Sequence, residues 1–296
     1  MSILVTGAAG YIGSALAKAL PAARTLTTDQ TAPARVIGNL ACPRFTRSLI
    51  TPDIDVVFHL ASLVSGGAEQ DFELGTRVNL DATRDLLEAC RLAGHCPKFV
   101  FASSIAVYGG VDEVDDQTPA APRISYGAQK LICEILIDDY SRRGYVDGRA
   151  LRLPTVMVRP GGANTAVSGW ASAIIREPLA GRDYACPVRP DTRMACISVG
   201  RVVDSLIRIS ETPKEALGFH RTVLLTGIPV TARQMWEAIR QKTEASVSFE
   251  PDPAIQAVMD TVPKAAQSRR AAQLGLPRSA SIDEIVAEYL QAQDAA

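Results

Sequence analysis

The sequence predicts an α/β protein: a doubly wound parallel sheet followed by a smaller C-terminal α/β lobe. Three observations carry this reading. Short β-branched runs alternate with stretches of helical periodicity through the first half of the chain. A glycine-rich turn sits at the first strand-to-helix junction, and a carboxylate closes the second strand. A length of 296 residues suits one cofactor-sized domain with an appended lobe. The expected division is 1–155 for the sheet domain, with a return to it around 194–227, and 156–193 plus 228–296 for the lobe.

Ile3-Leu4-Val5 is a short apolar run ending at Thr6-Gly7, which predicts a buried strand, and residues 11–20 follow as a helix. Arg24 to Thr28 reads as a second strand closing at Asp29, and Val36-Ile37 as a weaker third. Val56 to Leu60 is a strong strand. Residues 76–93 are helical, with Val78, Leu86, Leu87 and Cys90 roughly on one face. Lys98 to Ala102 is another strand. Residues 126–142 form a helix, with Leu131, Ile132, Ile135, Leu136 and Tyr140 at helical spacing and Gly144 beyond its end. Arg149 to Leu153 is a further strand. After Pro154 the texture changes: residues 154–193 hold many Pro and Gly and little periodicity, as loops and short helices around a pocket do. Residues 199–210 (helix) and Val223 to Thr226 (strand) are expected to rejoin the main sheet. Residues 231–242 and 281–292 are helices of the last lobe.

Composition narrows the partners. Hydrophobic residues make up 47% of the chain and charged residues 21%, an ordinary globular balance. A net charge of −1 gives no positive field for nucleic acid or an anionic membrane, so neither is an expected partner. The six cysteines at 42, 90, 96, 133, 186 and 196 form no C-x-x-C pair and there are three histidines, so no metal site is expected. Free thiols in a reducing cytoplasm are the simpler reading. Ile3 to Leu20 is fairly apolar but lacks the basic flank of a signal peptide, and no apolar run is long enough to span a bilayer. The expected location is the cytoplasm.

Thr6-Gly7-Ala8-Ala9-Gly10-Tyr11-Ile12-Gly13 spaces its glycines as G-x-x-G-x-x-G where a strand passes into a helix. Gly7, Gly10 and Gly13 allow a tight turn, close approach of the backbone to a pyrophosphate, and close helix–strand packing. Tyr11 and Ile12 open the helix whose N–H groups and dipole face the phosphates. This is the pattern of a Rossmann dinucleotide site. Asp29 stands where a carboxylate accepts the adenosine ribose hydroxyls and repels a 2′-phosphate, which favours NAD over NADP. Arg24 and Arg35 lie nearby, but neither directly follows it.

Tyr126 and Lys130, in Y-x-x-x-K spacing, fall on one helix face a turn apart. A free tyrosine titrates at about 10, and a neighbouring ammonium favours its phenolate, which turns the phenol into a usable proton acceptor. The lysine also reaches a nicotinamide ribose. Ser104, at the carboxyl end of the strand Lys98 to Ala102 and its continuation, can hydrogen-bond the reacting oxygen and share its charge. Ser103 reads as a turn cap.

At these residues the chain resembles the extended short-chain dehydrogenase/reductases. The shared pattern is T-G-x-x-G-x-x-G, Asp29, His59-Leu60-Ala61, Asn79, S-S-x-x-V-Y-G from Ser103, and Y-x-x-x-K from Tyr126, in that order over roughly the first 160 residues. The resemblance implies a catalytic triad of Ser104, Tyr126 and Lys130, and a cofactor cleft that also includes Leu60, Ala61, Asn79 and Leu153. Asn39-Leu40 stands where the family has Asp-Leu beside the adenine; the asparagine is a departure. Residues 63–69, 139–144, 152–155, 158–161 and 174–179 are similar to a branch of bacterial members that oxidise C2 of a four-carbon sugar acid. That implies a small sugar-acid substrate. Such a molecule needs a cation for its carboxylate and polar side chains for its alcohols. Ser65, Thr155, Asn164, Ser168, Arg176 and Arg193, with Ser104, are the candidates. Arg193 also occupies a place where nucleotide-sugar relatives hold a phosphate. An NDP-sugar 4-epimerase and another sugar-acid dehydrogenase, such as a uronate oxidiser, therefore stay open. A non-catalytic dinucleotide sensor is disfavoured because Tyr126 and Lys130 are both present. The family also implies a homodimer through helices 76–93 and 126–142.

Overall fold

A computed structural model describes residues 1–161 and 167–294. β1 (Ser2–Thr6) passes through the glycine turn into α1 (Tyr11–Ala19). β2 (Thr25–Asp29), β3 (Val36–Ile37), α2 (Pro43–Ser48) and β4 (Ile54–His59) follow. The short helices α3 (Ser65–Gln70) and α4 (Phe72–Gly75) lead through a π-helical turn, Thr76–Asp81, into α5 (Ala82–Ala93). Next come β5 (Lys98–Ser104), β6 (Glu113–Val114), α6 (Ser125–Arg142), β7 (Asp147–Leu153) and β8 (Thr155–Met157). They are followed by α7 (Trp170–Leu179), β9 (Tyr184–Cys186), β10 (Arg193–Ser198), α8 (Val199–Glu211), α9 (Lys214–Leu217) and β11 (Thr222–Leu224). β12 (Ile228–Thr231), α10 (Ala232–Glu237), β13 (Val247–Phe249), α11 (Pro253–Met259), β14 (Ala265–Ala266), α12 (Arg269–Gln273) and α13 (Ile282–Asp294) follow.

The main sheet has seven strands in the order β11-β7-β5-β4-β1-β2-β3, and every pairing in it is parallel. The chain winds outward from β1 through β2 to β3, then returns to build the other half from β4. The strand order thus reverses between β1 and β4, and a crevice opens above their carboxyl ends. Both faces are covered, which is why the strands read as nearly continuous apolar runs. Val56, Phe58, Val100 and Ala102 pack on one face with Leu16 of α1 and Val202 and Leu206 of α8. Val57, Phe99 and Phe101 pack on the other with Leu86 of α5 and Cys133 and Ile137 of α6. A one-residue slip would exchange these sets, so alternation fixes the register.

The second lobe has its own core, built around Trp170, Ile174, Ile175, Met194, Met235 and Ile285. β8, β10 and β12 form its three-stranded sheet; β9 pairs with β13, and β14 with β6. The chain rejoins the main sheet at β11, which pairs with β7, while α8 packs on α1 and the sheet. Residues 193–198 lie in the three-stranded sheet instead. Among the described residues, no helix is long and apolar enough to cross a membrane.

Three local expectations need correction. Residues 154–193 contain the ten-residue helix α7, which periodicity could not reveal because every residue from Trp170 to Arg176 is buried and no polar face marks it. The helix expected over 76–93 opens as a π turn. There the Asn79 carbonyl accepts from the Thr83 hydroxyl at 2.7 Å and the Cys133 thiol at 3.3 Å, side-chain donors that insert into the helical ladder. The helix expected over 231–242 ends at Glu237 and resumes only as a 3₁₀ turn, Arg240–Lys242.

Candidate active site

The cofactor side is built from backbone. Gly7 turns the chain at φ +72°, and a Cβ there would lie 2.6 Å from the main-chain nitrogen of Ala61. The glycine turn therefore presses directly on Leu60-Ala61, which follow β4. A Cβ on Gly13 would lie 2.0 Å from the Gly7 carbonyl oxygen, so α1 can pack on the loop only through glycine. Gly10 caps α1 without a side-chain bond, and the first turn holds no acidic residue. The first turn of α1 itself thus adds no negative charge beside the N–H groups at Tyr11 and Ile12. Asp29, at the end of β2, accepts the Ala9 N–H at 2.9 Å and the Gln30 N–H at 2.7 Å. That leaves lone pairs of the carboxylate for ribose hydroxyls. A glycine cradle with no room for Cβ atoms, an uncapped helix start and this carboxylate fit a dinucleotide. Asn39 is exposed and its Oδ1 accepts from Gln30 Nε2 and the Ala41 N–H, while the Leu40 side chain is buried in the core.

The catalytic candidates meet at the carboxyl end of β5. Tyr126 and Lys130 lie one turn apart on α6. Lys130 is 1% exposed; its Nζ donates to the Ala102 carbonyl at 2.9 Å and stands 4.6 Å from the Phe101 ring and 5.5 Å from the Tyr126 ring. Ser104 is the last residue of β5, pairs in register with Leu153, and accepts the Ala106 N–H at 3.1 Å. A Cβ on Gly127 would lie 2.0 Å from the Ala106 carbonyl oxygen. This glycine lets the start of α6 dock on the turn just beyond Ser104, so Ser104 and Tyr126 share one edge of the crevice. His59 is buried beneath, bridging the Thr6 and Thr83 hydroxyls at 2.7 and 2.9 Å. Burial, and then the charge of Lys130, push its pKa down to about 3, so it is a neutral strut.

Two buried networks hold this edge. Asn79 donates to the Leu63 carbonyl and to Gln129 Oε1 (2.7 Å), and its Oδ1 accepts from the Leu63 N–H and the Ser62 hydroxyl. It ties the loop before Ser65 to α6 beside Lys130. On the other side, Ser103 donates to Glu134 at 2.5 Å, Arg152 binds both oxygens of Glu134, and Arg152 Nη1 donates to the Tyr108 hydroxyl at 2.7 Å. Ser103, expected as a turn cap, is buried in this network. Gln129 and Glu134 were passed over in the sequence. For Glu134 a signal existed, since it lies one turn after Lys130 on the same face.

The substrate candidates scatter more widely. Ser65 opens α3 on the loop that Asn79 fixes, Thr155 opens β8 beyond Leu153, and Ser168 lies in the turn before α7. Asn164 lies outside the described residues. Arg176 is 8% exposed and is engaged within its own lobe: it pairs with Glu177 at 2.6 Å and donates to the Arg159 carbonyl at 2.9 Å. Arg193 is exposed at the start of β10, opposite Thr231. Among the described residues, neither arginine hydrogen-bonds to a residue of the triad. Burial lowers the pKa of the Arg159 guanidinium, and the Tyr126 and Tyr11 phenols oppose that shift. A concavity of about 1800 Å³, lined by Tyr108, Glu134, Ile135, Arg152 and Arg270 among others, contains none of the triad.

The profile of the NAD dependent epimerase/dehydratase family matches residues 3–218. The chain is 44% identical to the D-erythronate dehydrogenase of Cupriavidus necator, with 98% of each chain covered. It is 36% identical to the D-erythronate dehydrogenase of Haemophilus influenzae, with 98% of this chain and 99% of that one covered. Among solved structures, a nucleoside-diphosphate-sugar epimerase from Agrobacterium tumefaciens superposes with a TM-score of 0.91 at 34% identity, covering 100% of this chain and 95% of that one. The chain belongs to the NAD dependent epimerase/dehydratase family, and its cofactor is NAD.

Proposed function

We propose that this protein is a D-erythronate dehydrogenase, which oxidises the C2 hydroxyl of D-erythronate to the 2-oxo acid. The observation that carries the chemistry is the Tyr126–Lys130 pair, docked through Gly127 onto the turn after Ser104. The substrate follows from the names of two relatives that match over nearly the full length.

NAD, when bound, accepts the C2 hydride. Gly7, Gly10, Tyr11, Ile12 and Gly13 hold its pyrophosphate, and Asp29 its adenosine ribose. Asn39 and the Leu40 main chain would border the adenine, and Leu60, Ala61 and Leu153 would line the path to the nicotinamide, with buried Asn79 supporting that path from behind. Tyr126 takes the proton of the C2 hydroxyl and passes it to solvent. The Lys130 ammonium offsets the negative charge of the phenolate form in which Tyr126 accepts that proton, and Ser104 donates a hydrogen bond to the reacting oxygen. Ser65, Thr155 and Ser168 would meet the remaining hydroxyls. On this reading the cofactor domain is 1–155 with its return from α8 to β11, and the rest, β10 included, is the substrate lobe. Six free thiols suit a reducing cytoplasm. Exposed Phe72, Leu92, Ile132 and Ile135 on α4 to α6 support a homodimer through those helices.

The test is NADH formation with D-erythronate and identification of the 2-oxo product. The 34% identity to a protein described as a nucleoside-diphosphate-sugar epimerase supports a second reading. An epimerase would interconvert NDP-hexoses with no net NADH, and that result would replace the proposal.

A further inference from the structure

Glu134 is 3% exposed, and a carboxylate taken that far out of water must have its charge matched. Arg152 matches it. Its Nε donates to Oε1 at 3.0 Å and its Nη2 to Oε2 at 2.6 Å, while the Ser103 hydroxyl donates to Oε1 at 2.5 Å. Replacing a buried ion pair by apolar side chains of similar volume is often neutral or stabilising, so stability alone gives no reason for one here; what the pair adds is fixed direction. Its members come from the three elements that frame the triad. Glu134 lies on α6, one turn beyond Lys130 and two beyond Tyr126. Ser103 precedes Ser104 on β5, and Arg152 pairs in register with Ser103 from β7.

The pair also holds the far side of Ser104. Arg152 Nη1 donates to the Tyr108 hydroxyl at 2.7 Å, and Tyr108 closes the 3₁₀ turn, Ile105–Val107, that begins directly after Ser104. Ser104 is thus bracketed: the residue before it and the residue four after it are fastened to one ion pair. α6 meanwhile grips consecutive residues of β5, Lys130 at the Ala102 carbonyl and Glu134 at the Ser103 hydroxyl. The Ser104 Oγ accepts the Ala106 N–H, which leaves its own O–H to donate. Where that O–H points depends on the main chain between the two anchors.

We propose that Glu134 is a positioning residue for the reaction: paired with Arg152, it sets Ser104 relative to Tyr126 so that both reach the reacting oxygen at once. The inference rests on the dehydrogenase reading above and on its triad. A misplacement of about 1 Å in such a site costs up to roughly 10²-fold in rate, so the effect belongs in kcat more than in KM.

The experiment is a double-mutant cycle. Ser103→Ala, Ser103→Thr and Glu134→Gln are made in the wild-type and Ser104→Ala backgrounds, and kcat and KM for D-erythronate, NADH affinity by fluorescence and the melting temperature are measured. With Ser104 present, Ser103→Ala and Glu134→Gln each lower kcat at least about tenfold, KM and NADH affinity stay within about twofold, and Ser103→Thr, which keeps the hydroxyl, recovers most of the loss. In Ser104→Ala the same changes lower kcat less than about twofold, because the residue they position is gone; a general loosening of the fold would lower it equally in both backgrounds. If Glu134→Gln does not fold, Ser103→Ala and Ser103→Thr decide. An unchanged kcat in either folded variant overturns the proposal, and so does a loss of the same size with and without Ser104. If wild type forms no NADH from D-erythronate, or Ser104→Ala alone leaves kcat unchanged, the reading beneath fails and takes the proposal with it, a result visible before Glu134 is touched.

Discussion

Tyr126→Phe removes one oxygen and leaves the ring in place. On the proposed role, kcat falls by two or more orders of magnitude, about the range for a positioned acid–base group, and NAD affinity is little changed. Steady-state kinetics with a cofactor-binding titration check this, and near-normal turnover would end the role. His59 gives a pH prediction of opposite character. The folded protein holds it neutral, with a pKa of about 3, while the unfolded chain binds its proton below about 6.5. Between those values the unfolded state carries the extra proton. Stability is therefore full above about 6.5 and falls as the pH drops towards 3, by up to ~1.4 kcal/mol per unit from this residue. Urea unfolding at several acidic pH values should show a shallower loss in His59→Asn than in wild type; equal slopes would remove His59 as the cause. Residue identities at Gly7, Asp29, Ser104, Tyr126 and Lys130 were legible in the sequence because short-range spacing and a strand or helix end dictate their chemistry. The Ser103–Glu134–Arg152 network was not, because it joins three segments that no spacing links.

At the scale of elements, α6 is the part that converts fold into chemistry. Its start is fixed by Gly127 against Ala106, and its flank by Glu134 and Gln129. Gly127→Ala places a methyl against a carbonyl oxygen, so helix or turn must shift. The expected result is a loss of about 1–3 kcal/mol in stability from overpacking and at least a tenfold lower kcat from misplaced Tyr126. Thermal melts with kinetics measure both, and an unaltered kcat would show that the docking does not set the geometry. The strands and amphipathic helices of the main sheet were readable because one period matches one buried face. The fully buried α7 hid its period, and the π turn at Thr76–Asp81 depends on Cys133 from another helix.

For the whole molecule, the exposed Ile132 and Ile135 on α6 face no described partner. With a homodimer formed through α5 and α6, Ile135→Glu shifts the protein toward monomer in sedimentation experiments without unfolding it, because a charge is placed in an apolar interface. A wild type that sediments as a monomer at micromolar concentration would rule the dimer out.

The sequence by itself determined the doubly wound sheet, the dinucleotide turn and the Tyr126–Lys130 spacing, since each follows from interactions within a few residues or from alternation along one strand. Only the tertiary structure decided that Glu134, Arg152 and Ser103 form one buried network and that Arg176 serves its own lobe. These depend on which strand ends and helix faces meet, and burial and charge pairing between distant segments leave no period in the chain.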